Sequence, residues 1–198
     1  MYQPFEIGPK FRIRPPASAP SMDGRIDLIM ARGAFGSGEH ETTANCLEIL
    51  AGMAEVKGAT VLDLGSGTGI LAIAALKLGA AAALCIDIDP QAVATARRNC
   101  DLNGVADRVR HHTGVLEEAA AGEFDLVLAN IYGDLLLDFA PGLAARVRPG
   151  GLLLLSGILW GYNFDVRRVY ANRGCALVRN YMLEEFSSVL LRKESGRG

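Results

Sequence analysis

Four cysteines and three histidines are all that 198 residues offer in the way of soft metal ligands. Cys46, Cys85, Cys100 and Cys175 are widely scattered with no Cys-x-x-Cys pair, and no histidine stands at metal-ligand spacing. A disulfide framework and a zinc site are therefore not indicated, and reduced intracellular thiols are the simpler expectation. An excess of either charge is also missing. A formal net charge of −2 and a pI near 5.9 give no basic field for tight, unspecific binding to nucleic acid or an anionic membrane. Met1-Tyr2-Gln3-Pro4-Phe5-Glu6 lacks the basic start and apolar run of a signal peptide, and no later run reaches membrane-spanning length free of charge or glycine. The expectation is a cytoplasmic protein. Internal repeats are absent, and composition is odd only at Pro15-Pro16-Ala17-Ser18-Ala19-Pro20-Ser21 and at the polar tail Arg192–Gly198. Residues 1–32 thus read as an extended N-terminal segment, 33–193 as one domain and 194–198 as a disordered tail.

What is present, half the residues being hydrophobic, is enough for one core of ordinary size. From Thr60 onward short apolar runs alternate with longer amphipathic stretches, the pattern of a parallel sheet covered by helices. Strands are expected over 60–64, 83–87, 109–113, 124–130 and 152–156, with helices over 69–78, 90–103, 134–147 and 162–173. A further helix is expected over 42–53, and the segments 176–180 and 185–191 read as a terminal hairpin that makes the sheet mixed. Phe124-Asp125-Leu126-Val127-Leu128-Ala129 and Leu152-Leu153-Leu154-Leu155 are hydrophobic enough for strands buried on both faces.

Chemistry enters at Val61-Leu62-Asp63-Leu64-Gly65-Ser66-Gly67-Thr68-Gly69-Ile70, a strand running into a glycine-rich turn and a helix. Gly65, Gly67 and Gly69 let the backbone, with Ser66 between them, turn tightly and approach a ligand without Cβ obstruction. A dinucleotide fingerprint wants its third glycine three positions after the second, and Ile70 stands there. Asp63 just before the turn is a poor neighbour for a pyrophosphate. It suits the cationic amino end of S-adenosylmethionine, directly or through water.

A second acidic position closes the next strand in Leu84-Cys85-Ile86-Asp87-Ile88-Asp89-Pro90, about twenty residues on, where a carboxylate can accept both ribose hydroxyls. Asp87 is assigned that role, and Asp89, before Pro90, reads as a helix N-cap. Ile88 would lie against the adenine face, or be plain core. Ala129-Asn130-Ile131-Tyr132 follows the fourth strand, at the carboxyl edge where ligands collect in open α/β sheets. The Asn130 amide oxygen and a nearby backbone carbonyl can hold the protons of an amine so that its lone pair points along the line of methyl transfer; the bland alternative is that Asn130 caps a turn. The segment Gly33–Thr43 is too rich in glycine for a helix and reads as a ligand-covering loop feeding one. Within it Phe35 is a lid aromatic or core, Thr42 or Thr43 is an N-cap, and His40 is a loop histidine.

These residues resemble those of the bacterial ribosomal protein L11 methyltransferases, the PrmA family. The resemblance rests on Ala34-Phe35-Gly36-Ser37-Gly38-Glu39-His40-Glu41-Thr42-Thr43, on Asp63 to Ala75, and on Ile86-Asp87-Ile88-Asp89-Pro90, Ala129-Asn130-Ile131 and Leu155-Ser156-Gly157-Ile158-Leu159. It implies a class I methyltransferase fold: a Rossmann-like three-layer α/β/α sandwich on a mostly parallel seven-stranded sheet whose last strand is antiparallel. It also implies cofactor contacts at Thr43, Gly65, Asp87 and Asn130. Full-length members carry an N-terminal ferredoxin-like domain that recognises the ribosomal protein, and here only about thirty residues precede the Phe35 loop, so the resemblance covers the catalytic domain. Met30-Ala31-Arg32-Gly33 replaces the family's Asp-Pro-Gly, and Phe186 replaces its usual tryptophan.

The expected function is methyl transfer from S-adenosylmethionine, leaving S-adenosylhomocysteine, to a lysine or N-terminal amine of a protein, with a ribosomal protein as candidate substrate. Asn130, the carbonyl of Ala129 or Ile131, and Tyr132 would orient the amine; His40 and Glu39 are secondary helpers. A small-molecule or nucleic-acid amine acceptor, and a non-catalytic S-adenosylmethionine-binding protein, are the alternatives. The oligomeric state is open.

Overall fold

The computed structural model describes residues 2–31 and 40–195. Three short strands come first: β1 (Phe5–Ile7), β2 (Phe11–Arg14) and β3 (Ile26–Ile29). Helix α1 (Glu41–Ala51) leads to β4 (Thr60–Leu64), α2 (Ile70–Lys77), β5 (Ala82–Asp87), α3 (Pro90–Leu102) and β6 (Val109–Thr113). The second half continues with β7 (Phe124–Asn130), α4 (Gly133–Asp138), α5 (Ala140–Arg146), β8 (Val147–Leu159), α6 (Trp160–Ala171), β9 (Cys175–Met182) and β10 (Phe186–Lys193).

Among the described residues the large sheet runs β6-β5-β4-β7-β8-β10-β9. Strands β4 to β8 pair in parallel, and β10 is antiparallel to both of its neighbours. This is the expected mostly parallel sheet with an antiparallel last strand. Side chains alternate between its faces with the period of two that a strand imposes. Val61, Leu126, Leu128, Leu152 and Leu154 enter the core beneath α1 and α2, whereas Leu62, Val127, Ala129, Leu153 and Leu155 enter the opposite core with Leu136, Leu143, Val166 and Tyr170 of α4, α5 and α6.

Helix α2 explains the first thirty residues. Every side chain from Ile70 to Leu76 is buried, and a helix apolar all round needs cover on its outer side as well as on its sheet side. Phe11, Ile13 and Leu28, fully buried from β2 and β3, lie in the same core cluster and supply that cover. Asn99 of α3 and Asn103, the C-cap of that helix, hold β3 and the residues after it in place. The Ile29 N–H donates to Asn103 Oδ1 at 3.0 Å, the Asn103 amide donates back to the Ile29 carbonyl at 2.7 Å, and the Ala31 N–H donates to Asn99 Oδ1 at 2.9 Å. Against the expectation of an extended segment over 1–32 at the edge of the domain, the described residues 2–31 carry the small sheet β1-β2-β3, whose Phe11, Ile13 and Leu28 are built into the core.

Two smaller differences have local causes. The helix expected over 134–147 is broken into α4 and α5 at Phe139, because Pro141 has no N–H to continue a helix and must sit in a first turn. At the other end, the Glu194 N–H donates to the Gly174 carbonyl at 2.8 Å, so ordered pairing runs one residue into the expected tail. Residues 196–198 lie outside the described residues.

Candidate active site

The loops after β4, β5 and β7 meet at the carboxyl edge of the sheet, where strand order reverses on either side of β4. Beyond β4 the chain turns through Gly65, Gly67 and Gly69 with φ of 68°, 53° and 78°. The N–H groups of Gly65 and Ser66 donate to the Ile86 carbonyl at 2.8 and 3.1 Å, tying the turn to β5. Gly65 is required twice over: its φ is left-handed, and a Cβ there would overlap the Ile131 side chain. Asn99, buried on α3, donates from its amide to the Thr68 carbonyl at 2.9 Å.

Asp63 lies beneath this turn, not on it. It is 1% exposed, and its carboxylate accepts the Ala72 N–H at 3.2 Å, capping an α2 whose own N-cap residue, Gly69, has no side chain to do so. Burial pushes its carboxyl up from 3.8 to about 7; the Ala72 hydrogen bond opposes that rise and the nearby Asp87 charge adds to it. Cys46 and Cys85, also buried close by, have thiols pushed well up by the same desolvation, so neither is a thiolate nucleophile at neutral pH.

Asp87 ends β5 half-buried, with one carboxylate oxygen accepting the Gly67 N–H at 2.8 Å and the other the Asp89 N–H at 3.0 Å. A carboxylate has about four lone-pair sites, so two remain for hydroxyl donors. Ile88 beside it is 75% exposed, a bare aliphatic surface at the strand end and not core. Asp89 caps α3 through the Gln91 N–H at 2.8 Å, ahead of Pro90.

Asn130 ends β7, and its amide donates to the hydroxyl of Thr43, buried in the first turn of α1, at 3.2 Å. These residues are 87 apart in sequence and directly bonded in the fold. Ile131 acts as a wedge: its N–H donates to the Ser156 carbonyl at 3.2 Å, its side chain fills the space above Gly65, and a Cβ at Gly157 would overlap its carbonyl. Tyr132 stands at the start of α4, 65% exposed, next to Gly133, whose face is covered by the Tyr162 ring. His40, not Thr42 or Thr43, caps α1: its Nδ1 accepts the Thr42 N–H at 3.3 Å and lies 2.8 Å from the Thr42 hydroxyl. That engagement fits a structural role better than a proton carrier's. Phe35, Ser37 and Glu39 lie outside the described residues.

Asn99 is the site residue that sequence reasoning misses. It falls on the buried stripe Ala92, Val93, Ala96, Asn99, Cys100 of α3, and a polar side chain on such a stripe must find partners. Its partners, the Thr68 carbonyl and the Ala31 N–H, join the glycine turn to the chain entering the 32–39 segment.

A family model described as ribosomal protein L11 methyltransferase (PrmA) matches residues 1–194. The chain belongs to the PrmA family. The ribosomal protein L11 methyltransferase of Trichlorobacter lovleyi is 46% identical over 165 residues, 80% of this chain and 54% of that one. A ribosomal protein L11 methylase structure from Lactobacillus delbrueckii subsp. bulgaricus superposes with a TM-score of 0.86 at 28% identity, covering 98% of this chain and 99% of that one. An RNA methyltransferase from Salinibacter ruber, solved in complex with S-adenosyl-L-homocysteine, gives a TM-score of 0.63 at 26% identity, covering 78% of this chain and 94% of that one. The chain spans about half the length of curated PrmA relatives such as the first of these. Its sheet is the class I methyltransferase sheet.

The residues present fit the cofactor that this fold holds. A turn whose Gly65 admits no Cβ, a carboxylate at Asp87 with lone pairs to spare, and the bare Ile88 face have the chemistry that backbone approach, ribose hydroxyls and an adenine ring call for. Within this PrmA-family site, Asn130 and Thr43 stand on the other side of the turn, toward β8.

Proposed function

We propose that this chain is an S-adenosylmethionine-dependent N-methyltransferase whose acceptor is an amine of a protein, with ribosomal protein L11 the leading candidate. The observation that carries the reading is the Asn130–Thr43 hydrogen bond at 3.2 Å. It uses the amide nitrogen as donor, which turns the amide oxygen out as acceptor for an amine N–H, and it locks the side chain against rotation.

The bound cofactor supplies an electrophilic methyl group on a cationic sulfonium. The turn at Gly65, Ser66, Gly67 and Gly69 would cradle it, with Asp87 for the ribose, Ile88 for the adenine face and Thr43 for the edge near Asn130. Asp63 acts from beneath the turn, giving the cationic amino end a negative field instead of a direct contact. On the acceptor side a lysine amine, with a reference pKa of about 10.4, must shed a proton to expose its lone pair. The wall formed by Ile131 and Tyr132 disfavours the charged form by desolvation, and Asn130 with the Ala129 or Ile131 carbonyl holds the remaining N–H groups in line. His40 serves by fixing the first turn of α1, and released protons pass to water.

The Salinibacter ruber relative acts, by its description, on RNA. A net charge of −2 favours a protein acceptor over a polyanion. A ribosomal protein substrate fits the expected cytoplasmic location, and no described helix is long and apolar enough to cross a membrane. The test is radiolabelled methyl transfer to purified L11, to RNA and to a fractionated lysate, beside calorimetry with the cofactor. Asn130→Ala is expected to lower transfer to L11 by about a hundredfold while cofactor affinity changes by less than about threefold, under 1 kcal/mol. Equal loss of both, or label in RNA and none in protein, overturns the assignment.

A further inference from the structure

Glu41 is the first residue of α1, two positions before Thr43. A carboxylate in a first turn ordinarily faces its own helix's free N–H groups. Here His40 takes the capping role, and Glu41 reaches elsewhere. Its Oε2 accepts the Glu184 N–H at 3.1 Å and its Oε1 the Glu185 N–H at 3.3 Å, across 143 and 144 residues of sequence. Both oxygens are thus spent on the turn between β9 and β10.

That turn is held from a second side. The Trp160 N–H donates to the Glu185 carbonyl at 3.4 Å, the Trp160 indole N–H donates to the Phe186 carbonyl at 3.0 Å, and the His40 ring meets the Phe186 ring edge-on with centroids 5.1 Å apart. Phe186 also pairs with Leu159 at the end of β8, and Ser156 of β8 pairs with Asn130. The contacts close into a ring: Asn130, Thr43, Glu41, the 184–185 turn, Trp160, the end of β8, and back to Asn130. The ring includes Asn130; Trp160 within it is 53% exposed, and Tyr132, two residues beyond Asn130, is 65% exposed.

We propose that Glu41 is the latch of this ring, a positioning residue that sets the Thr43–Asn130 pair and the width of the acceptor entrance without touching either reactant. This rests on the acceptor role given to Asn130. The other links of the ring are the Asn130–Thr43 hydrogen bond, covalent stretches, sheet pairings and the bonds to Trp160; among the described residues, Glu41 is the one that ties the first turn of α1 to the hairpin by hydrogen bonds. Removing it frees the exposed Glu184 and Glu185 N–H groups to solvent and lets the first turn of α1 shift relative to β7. Because charge-assisted bonds to backbone N–H groups are about twice as strong as neutral ones, Glu41→Gln, which keeps one acceptor oxygen and loses the charge, is an intermediate case.

The test compares the unaltered chain with E41A and E41Q, and with E184A, whose backbone N–H is untouched. The first readout needs no acceptor: the NMR signals of the Asn130 side-chain amide and the exchange rates of the Glu184 and Glu185 amides. E41A is expected to speed exchange at 184 and 185 by tenfold or more and to move the Asn130 amide signals, E41Q to do so partway, and E184A to do neither. The second readout is methyl transfer to L11, where E41A is expected to lower kcat about tenfold with cofactor affinity within threefold. Freed 184 and 185 amides with an unmoved Asn130 amide overturn the latch, as does a loss of cofactor affinity equal to the loss of kcat. If the unaltered chain methylates no protein, the acceptor reading fails, and the Asn130 signals still decide whether Glu41 positions that side chain.

Discussion

Replacing Asp63 by asparagine should make the protein more stable, and only above acidic pH. The amide is isosteric and keeps an oxygen for the Ala72 N–H, which the carboxylate accepts at 3.2 Å. What it removes is a charge in a site 1% exposed, beside the desolvated thiols of Cys46 and Cys85 and within reach of Asp87. Burial raises the folded carboxyl from 3.8 to about 7. At about 1.4 kcal/mol for each tenfold in proton affinity, ionising it in the folded chain costs roughly 4 kcal/mol, a large part of a typical domain stability of about 5–15 kcal/mol. Because the folded value lies above the unfolded one, the contribution is fully present below pH 3.8 and is lost as pH rises through about 7. Urea unfolding of both proteins without cofactor, from pH 4 to pH 8.5, gives the difference directly. Asp63→Asn minus wild type should climb by roughly 4 kcal/mol between pH 4 and about pH 7.5 and then level off. A difference that stays flat within about 1 kcal/mol across that range, less than one pKa unit of linkage, would mean that the carboxylate is solvated after all.

Three further outcomes follow from the same geometry. Phe11→Ala, emptying a fully buried site in the core shared with α2, should cost about 3–5 kcal/mol in urea unfolding; a cost near zero would return the first thirty residues to the edge of the domain. Gly65→Ala combines a left-handed φ of 68° with overlap on Ile131 and should lose about 2 kcal/mol or more of stability. Thermal melting at wild-type temperature would refute the wedge role of Ile131. Asp87→Ala removes a carboxylate that holds the Gly67 and Asp89 N–H groups. Cofactor affinity measured by calorimetry should fall by roughly ten- to a hundredfold, the worth of about 1.5–3 kcal/mol for hydrogen bonds to a charged group; undiminished affinity would remove Asp87 from the site.

The sheet was legible because its signals are local. Strand β7, read as 124–130, coincides with Phe124–Asn130, since a strand buried on both faces announces itself as a short apolar run between turn residues; β6, a polar edge strand, also falls on its expected 109–113. The positions of Gly65, Asp87 and Asn130 follow in turn, because each sits where a parallel strand stops and the chain must turn. Asp89 as an N-cap needs only its neighbour Pro90 and the helix behind it.

What stayed hidden depends on which distant segments meet. Nothing near Phe11 or Leu28 says that their side chains will roof α2, although the unbroken apolar run Ile70–Leu76 required a roof from somewhere. Asp63 looks from its spacing like a ligand contact, and only packing shows it under the turn, capping α2. His40 reads as a loop histidine until α1 begins one residue later. Glu41 is an ordinary first-turn acid in sequence, and its bonds to Glu184 and Glu185 exist because β10 returns antiparallel between β8 and β9 and brings its turn to the head of α1. Periodicity and turn chemistry act over a few residues and so determined the strands, the glycine turn and the type of cofactor. The partners of buried polar groups are chosen across the whole chain, so the tertiary structure alone decided which residues hold Asn130 still.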